Sequence, residues 1–427
     1  MKNFWVLIFL ITLTTCGVNK HITKSLNELE NTFQDHVGFV LYDLQNDEYL
    51  INKNGDRYFT PASNTKILTF YTSLRLLEDR IPGLYYQESG DSLIVWGTGD
   101  PSFLYEPLQD SSIFNFLSST KKSIYFSTGN FHDQHFGPGW SWDDYLYSYS
   151  TEKSSLPIYG NYLTIRKQRD SATLTLDIPY FQKYFTLGDS IQKSQITRHI
   201  GSNEMVYEPA FKNEAFKREV PFKPDPVIVA NLLADTLKSP VAAIDKQLPN
   251  IYTTFYSIPT DSVLKVMMQD SDNFVAEQLL LVCSGILSDS LNAEITIDWA
   301  LDSLFNNSPD KMVWVDGSGL SRYNLFTPRS LVWLWKQLYS TYGRERIFPL
   351  IAAGGESGTI KNYYHAEPPY IYAKTGTLSN NHNLSGFLIT ASGKVLLFSF
   401  MNNNYPDESR PVKKEMEKIL WQIHENY

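Results

Sequence analysis

The sequence predicts a mixed α/β fold in which a β-rich middle region interrupts a domain of helices and strands. Two strand patterns between residues 38 and 51 lead into an apolar run of helical period that follows Ser63. Between about residues 85 and 255, short apolar segments are broken by Gly, Pro, Ser and Asp, which favours strands. Helical periodicity returns from Pro259. A chain of 427 residues has room for two or three domains.

The elements can be placed along the chain from these patterns. Residues 22–36 fit a polar helix, residues 38–44 and 49–51 fit a hairpin, and the run after Ser63 fits a buried helix. The strands predicted for the middle region are 92–96, 123–126, 162–165 and 172–176. The helices predicted after it are 262–268, 274–287, 294–306, 328–339 and 407–425, and the strands are 370–376, 386–390 and 394–401. The dense group Trp140, Trp142, Asp143 and Asp144 predicts a structural turn with buried indoles.

Composition excludes several classes of function. Hydrophobic residues make up 42% of the chain, enough for real cores, and aromatic residues at 14% argue against disorder. The net charge of −9 gives no electrostatic support for a nucleic-acid partner. The two cysteines, Cys16 and Cys283, predict no structural disulfide, and Cys283 reads as a small buried apolar residue. The scattered histidines predict no metal site.

The N-terminal residues 1–19 have the pattern of a targeting segment. Lys2 precedes an apolar core that is too short to span a bilayer. The stretch Leu13-Thr-Thr-Cys16-Gly17 resembles a bacterial lipoprotein signal, which implies that Cys16 becomes the lipidated first residue. An ordinary cleaved signal peptide is the alternative. Both interpretations place the protein outside the cytoplasm, with the membrane reached only through a lipid anchor.

The motif Ser63-Asn-Thr-Lys66 has the residue types of a nucleophile and its base. Residues three apart on a helix lie side by side, so we expect Ser63 and Lys66 to be in contact. A serine hydroxyl becomes a good nucleophile when a base takes its proton, and a lysine of lowered pKa can be that base. The pattern Ser-x-x-Lys occurs seven times in the chain, however. The motif therefore identifies no function by itself.

Two further motifs follow in order, Ser271-Asp-Asn273 and Lys374-Thr-Gly376. The ordered set resembles the signature of penicillin-binding proteins and serine β-lactamases. In that arrangement Ser63 attacks a carbonyl and Lys66 accepts its proton. Lys374 helps to keep Lys66 neutral by like-charge repulsion and adds a positive field for an anionic substrate terminus. Ser271 relays a proton to the leaving amine, and Asn273 hydrogen-bonds a substrate amide.

The strand that carries Lys374 supplies the expected substrate-binding groups. Gly376 would let a substrate backbone lie close against the strand, as an added strand does. The backbone N–H groups of Ser63 and Thr377 are candidates for an oxyanion hole. The hydroxyls of Thr375 and Thr377 are candidates for binding a C-terminal carboxylate.

The resemblance is closer to one family, the S13 D-alanyl-D-alanine carboxypeptidases/endopeptidases of the penicillin-binding protein 4 type. In that family a long insertion separates the first two motifs, and here the separation is 208 residues. The match runs from about residue 22 to the end. The stretches that carry it are Gly97-Thr-Gly-Asp-Pro101, Pro138-Gly-Trp-Ser-Trp-Asp-Asp144, Ser271-Asp-Asn-Phe-Val-Ala-Glu-Gln-Leu279, Asp316-Gly-Ser-Gly-Leu-Ser321 and Ala373-Lys-Thr-Gly-Thr-Leu378.

The resemblance implies a transpeptidase/β-lactamase-like catalytic domain, an antiparallel sheet with helices. Its two parts would be residues 22–84 and 256–427, with accessory structure inserted at 85–255. The implied activity is cleavage of D-Ala-D-Ala termini or D,D-crosslinks in peptidoglycan stem peptides, without a cofactor, on the periplasmic side of the cell envelope. β-Lactam antibiotics would acylate Ser63. The polar stretch Asn380-Asn-His-Asn383 departs from the family pattern and leaves substrate preference open.

Two alternatives compete with this interpretation. A class A serine β-lactamase needs a glutamate in a Glu-x-x-Leu-Asn context, and none occurs between Ser271 and Lys374. The separation of Ser63 and Ser271 is also too long for that class or a related esterase. A non-catalytic cell-wall binding protein on the same fold would be recognised by loss of a catalytic side chain, and Ser63, Lys66 and Lys374 are all present. The balance of carboxypeptidase and endopeptidase activity stays open.

Overall fold

A computed structural model of the protein describes residues 2–169, 174–210 and 214–427. The chain forms two compact units. The first consists of Met1–Thr72, Leu264–Asp272 and Ile297–Tyr427, and the second of Ser73–Val263 and Asn273–Thr296. These bounds differ from the predicted borders at residues 84 and 256, and the predicted domain division stays a prediction.

The described residues form helices and strands with the following bounds. The helices are α1 (Lys2–Phe33), α2 (Lys66–Leu76), α3 (Ser112–Ser119), α4 (Pro226–Leu237), α5 (Thr260–Gln269), α6 (Asn273–Ser288), α7 (Ala293–Ser303), α8 (Pro328–Ile347) and α9 (Ser409–Asn426). The strands are β1 (His36–Asp43), β2 (Glu48–Lys53), β3 (Arg80–Ser89), β4 (Ser92–Gly97), β5 (Ser123–Ser127), β6 (Tyr162–Lys167), β7 (Leu174–Leu176), β8 (Phe185–Leu187), β9 (Gln195–Arg198), β10 (Met205–Glu208), β11 (Phe216–Pro221), β12 (Val241–Ala243), β13 (Thr253–Pro259), β14 (Ala352–Ala353), β15 (Ile371–Leu378), β16 (Asn381–Ile389) and β17 (Val395–Asn403).

The first unit is built on a sheet with the strand order β14-β15-β16-β17-β1-β2 in the described part of the chain. Every neighbouring pair is antiparallel, which confirms the predicted sheet. Eight consecutive residues of β17 after Val395 are buried. Such a continuous buried run, rather than an alternating one, is the pattern of a strand covered on both faces of its sheet.

Helices cover both faces of this sheet. On one face, Leu384 and Leu388 of β16 join a core with apolar residues of α1 and α9. On the other face, Trp335 of α8 donates a hydrogen bond from its indole N–H to Ser385 Oγ at 2.8 Å and packs edge-on against Phe387. Because successive side chains of a strand point to opposite faces, these neighbours in β16 belong to different layers. The result is a helix–sheet–helix sandwich.

The second unit contains most of the predicted β-rich region. Its largest sheet has the order β12-β5-β4-β3-β13, and β8-β10-β9 and β11-β6-β7 form smaller ones. The pattern analysis missed helices α3 and α4. In α4 the run Val227-Ile-Val-Ala also suits a buried strand, but Asp225 caps a helix there by accepting hydrogen bonds from the N–H groups of Val227 and Ile228.

Three other expectations are revised or limited by the structure. The Trp142 indole is 81% exposed and Trp140 is only half-buried, so the prediction of buried indoles was wrong. Only residues 174–176 of the strand predicted at 172–176 lie within the described chain, and they form β7. The polar helix predicted at 22–36 is confirmed as the later part of α1, which also includes most of residues 1–19.

None of the described helices combines the length and apolar character that a membrane span requires.

Candidate active site

Ser63 lies in a short 3-10 turn, Ala62–Thr65, that leads directly into α2. The Lys66 ammonium donates a hydrogen bond to Ser63 Oγ at 3.0 Å, the contact that the three-residue spacing predicts. Lys66 is fully buried, whereas Ser63 is partly exposed. Ala62, immediately before Ser63, has a φ of 49°, in a region where non-glycine residues are uncommon and strained. Ser63 therefore lies on a tight, locally strained turn rather than within a regular helix.

A glycine-rich loop holds Lys66 from the other side. Lys66 Nζ also donates to the Ser318 carbonyl at 2.8 Å. The Asp316 carboxylate shapes this loop by accepting hydrogen bonds from the N–H groups of Gly319 and Ser321 at 2.9 and 2.7 Å. A Cβ on Gly319 would lie 1.9 Å from the Ala62 carbonyl oxygen, so only glycine permits this approach. The stretch Asp316-Gly-Ser-Gly was visible in the sequence, but its contact with Lys66 was not predicted.

Lys374 of the third motif contacts Ser271 of the second motif. It is fully buried on β15, and its Nζ donates to Ser271 Oγ at 2.7 Å and to the Thr375 carbonyl at 3.0 Å. Burial, and after it the nearby Lys66 charge, lowers the pKa of Lys374 well below its usual value. The Lys66 charge thus acts on Lys374 as a nearby like charge, and the predicted effect of Lys374 on Lys66 stays a prediction. Ser271 itself has a φ of 61°, so a second site residue is held in the left-handed region.

Asn273 is the first residue of α6. Its side-chain amide donates a hydrogen bond to the Tyr149 carbonyl at 2.9 Å. This contact orients the amide group, since the donor is engaged by the protein's own backbone. The predicted contact of Asn273 with a substrate amide stays a prediction.

Gly376 is required by a close contact within the protein, and its predicted contact with a substrate backbone stays a prediction. A Cβ at this position would lie 2.3 Å from the Pro61 carbonyl oxygen, in the turn that carries Ser63. The Asn64 side chain donates to the Lys374 carbonyl at 3.0 Å across the same contact. The close approach that requires glycine is therefore between β15 and the protein's own nucleophile turn.

The polar stretch at the start of β16 has a structural explanation. Asn383 donates from its side chain to the Thr60 carbonyl at 2.9 Å, and Asn403 donates to the same oxygen at 3.1 Å. Asn380 donates to the Tyr405 carbonyl at 2.9 Å. The buried amides of Asn383 and Asn403 fix the segment that enters the Ser63 turn.

A cavity of about 310 Å³ opens beside the nucleophile, and Ser63, Ser271, Thr375 and Thr377 all contribute to its wall. The Thr375 hydroxyl is hydrogen bonded to the Thr359 hydroxyl at 2.7 Å. The first unit thus brings together three serine and threonine hydroxyls from the second and third motifs with the proposed nucleophile. The cavity volume is at the lower end of the range for sites that bind small molecules.

His382 forms part of the same cavity wall. Its Nδ1 is hydrogen bonded to the Thr377 hydroxyl at 2.8 Å, and the residue is only 3% exposed. Burial, with a smaller contribution from the Lys413 charge, lowers the pKa of His382 from 6.5 to about 3. The imidazole is consequently neutral at physiological pH. Its position was noted in the sequence only as part of an unusually polar stretch.

This shifted pKa predicts an acid-sensitive fold. Between pH 6.5 and about 3 the unfolded chain binds a proton at His382 that the folded chain does not, so the free energy of unfolding falls as pH falls through that window. We expect wild type to lose about 2 kcal/mol more than His382→Asn between pH 7 and pH 5, because each pKa unit corresponds to about 1.4 kcal/mol. Urea unfolding at the two pH values measures the difference. Equal losses in the two proteins would contradict the assignment of a buried neutral imidazole.

Comparison with known proteins agrees with this geometry. Residues 18–426 match the D-Ala-D-Ala carboxypeptidase 3 (S13) family. The D-alanyl-D-alanine carboxypeptidase DacB of Haemophilus influenzae is 22% identical, over 90% of this chain and 88% of the relative. A D-alanyl-D-alanine carboxypeptidase of an Actinomadura species is 23% identical, over 86% of this chain and 78% of the relative.

Solved structures show the same fold. Penicillin-binding protein 4 of H. influenzae superposes with a TM-score of 0.78 at 18% identity, covering 94% of this chain and 99% of that one. A predatory peptidoglycan endopeptidase of Bdellovibrio bacteriovorus has a TM-score of 0.51 at 16% identity, covering 91% of this chain and 92% of that one. Because the family match covers nearly the whole sequence and includes all three motifs, the chain belongs to the D-Ala-D-Ala carboxypeptidase 3 (S13) family of serine carboxypeptidases.

Proposed function

We propose that Ser63 is the nucleophile of a D,D-peptidase reaction that proceeds through an acyl-enzyme. The observation that carries the proposal is the hydrogen bond of 3.0 Å between the buried Lys66 ammonium and Ser63 Oγ. In its neutral form, Lys66 takes the Ser63 proton as Oγ attacks the carbonyl of the penultimate D-alanine. The backbone N–H groups of Ser63 and Thr377 receive the negative charge that develops on the carbonyl oxygen.

The leaving amine requires a proton before the carbon–nitrogen bond breaks. Ser271, which is hydrogen bonded to Lys374, donates its hydroxyl proton to the amine and is reprotonated by the proton that Lys66 took from Ser63, so Lys66 becomes neutral again. The released product is D-alanine or the acceptor strand of a crosslink, whose amine was the leaving group, and the acyl group stays on Ser63. Water then attacks the ester, Lys66 takes a proton from the water, and Ser63 regains its hydroxyl.

Substrate recognition is assigned to the strand that follows Lys374. We place a terminal carboxylate against the hydroxyls of Thr375 and Thr377, and a substrate amide against Asn273. Stem peptides of peptidoglycan with D-Ala-D-Ala ends, and D,D-crosslinks between them, both present this chemistry. A β-lactam presents a reactive amide and a carboxylate in the same relation, which accounts for its ability to acylate Ser63.

A time course of intact-protein mass with benzylpenicillin tests the function. We expect one stable adduct on the wild-type protein, together with release of D-alanine from an acyl-D-Ala-D-Ala peptide in a parallel assay. A transient adduct with rapid turnover of the drug would indicate a serine β-lactamase instead. Absence of both the adduct and peptide cleavage would indicate a non-catalytic binding protein.

We further propose that the protein acts on the periplasmic side of the cell envelope and is anchored through lipid on Cys16. The support is the sequence pattern around Cys16 and the location of the peptidoglycan substrate. The mass of the mature N-terminus measures this. A diacylated or triacylated cysteine is expected in wild type, and a Cys16→Ser variant should lose it. Cleavage without acylation would identify an ordinary signal peptide.

A further inference from the structure

One charged group in the active-site cavity has no role in the reaction described so far. Lys413 lies on α9, about 40 residues beyond the Lys374 motif, yet it contributes to the same cavity wall as Ser63, Thr375 and Thr377. None of the described residues that line this cavity is acidic. Within the described parts of the chain, Lys413 also forms no ion pair with a carboxylate.

Glu417 has the spacing on α9 that best suits an ion pair with Lys413, but it is engaged by another group. Glu417, one turn further along α9, accepts a hydrogen bond from the N–H of Tyr364. The side chain of Lys413 is half-buried, and burial lowers its pKa from the usual lysine value. A partly buried cation without a counter-ion is costly, and such groups are normally paired. We therefore expect the cavity to bind an anion that pairs with Lys413.

The neighbouring residues indicate which part of a substrate that anion is. His382 links Thr377 to Lys413, because its Nδ1 is hydrogen bonded to the Thr377 hydroxyl and the Lys413 charge contributes to its lowered pKa. The neutral ring carries one proton, and we assign it to Nδ1. In that tautomer Nδ1–H donates to Thr377 Oγ1, which leaves the Thr377 proton free to be donated to a ligand.

We propose that Lys413 is a specificity-determining residue that binds the C-terminal carboxylate of the substrate together with the Thr377 hydroxyl, and that His382 positions that hydroxyl. This inference rests on the proposed acyl-enzyme chemistry at Ser63 and deepens it. It assigns to α9 a recognition role for substrates that keep a free carboxylate on the residue after the scissile bond. Peptides in which that carboxylate is amidated would be poor substrates.

The test compares an N-acyl-D-Ala-D-Ala peptide with its C-terminal amide, which differs only in the charge. We expect Lys413→Met to lower kcat/KM for the free acid by about 10- to 100-fold, the usual worth of a hydrogen bond to a charged group. For the amide we expect a loss of at most about threefold, since that substrate has no charge for Lys413 to bind. Lys413→Arg keeps the charge and should retain most of the preference for the acid.

The matched control is Lys414→Met. Lys414 is the next residue of α9 and is exposed, so this variant removes the same charge from the same helix without touching the cavity. Thermal unfolding separates an effect on binding from an effect on stability, because removal of an unpaired half-buried cation should not lower the unfolding temperature of Lys413→Met.

For His382, we expect His382→Leu to reduce the preference for the acid and His382→Asn to preserve it, since the asparagine amide can replace Nδ1–H.

Several outcomes would overturn the inference. Equal rates for the Lys413→Met and Lys414→Met variants would do so, and so would an equal loss on the acid and the amide. If wild type cleaves neither peptide and forms no adduct with benzylpenicillin, the proposed function itself fails and this inference fails with it. An active wild type with an unchanged acid-to-amide ratio in Lys413→Met removes only the role of Lys413.

Discussion

The Ser63→Ala variant is expected to form no covalent adduct with benzylpenicillin and to lose peptidase activity by at least about 10⁴-fold. The physical reason is that the variant lacks the oxygen that bonds to the acyl carbon, while the cavity and the lysine pair remain. Loss of a single hydroxyl on a partly exposed residue should leave the fold intact. Intact-protein mass after incubation with the drug measures the adduct directly, and peptide cleavage is measured by release of D-alanine.

A matched control for this variant exists elsewhere in the chain. Ser118 is the first residue of another Ser-x-x-Lys pattern, which ends at Lys121, and both residues are exposed near the end of α3. Ser118→Ala should therefore be acylated like the wild-type protein. Residual labelling of Ser63→Ala at the wild-type level would show that another side chain is the nucleophile.

Replacement of Lys66 by methionine is expected to slow acylation by benzylpenicillin by about 10³-fold, within the range for loss of a general base. Methionine keeps much of the buried apolar stem but provides no group that can accept the Ser63 proton. The Ser318 carbonyl loses its hydrogen bond from Lys66, so a moderate destabilisation of about 1–3 kcal/mol accompanies the change. Acylation rates from time-resolved mass spectrometry measure the first effect, and unfolding experiments measure the second.

The two effects can be separated because they differ greatly in size. At temperatures where Lys66→Met is folded, destabilisation of this magnitude leaves almost all of the protein native, so slow acylation reports on chemistry. Lys121→Met removes an exposed lysine from the equivalent position of the Ser118 pattern and should acylate at the wild-type rate. Near-normal acylation of Lys66→Met would assign the base to another group, with Lys374 as the first candidate because its lowered pKa makes a neutral amine accessible.

Most of the catalytic framework could be predicted from the sequence because it depends on local geometry. The contact between Ser63 and Lys66 follows from a spacing of three residues at the start of a helix. The strands around Lys374 follow from their apolar pattern, whereas their antiparallel pairing was implied by the family resemblance. Helices α3 and α4 were missed because an apolar run within a region of short strands suits either element until its packing partners are known.

By itself, the sequence determined the three motifs, their order and the family, because these are properties of residue type and spacing along the chain. Only the tertiary structure decided which distant groups meet. It brings Lys66 to a carbonyl 252 residues away, packs Gly376 against the turn that carries Ser63, and places Lys413 of the last helix in the cavity wall. Contacts of this kind arise from the packing of complete sheets and helices, and no local pattern of residues encodes them.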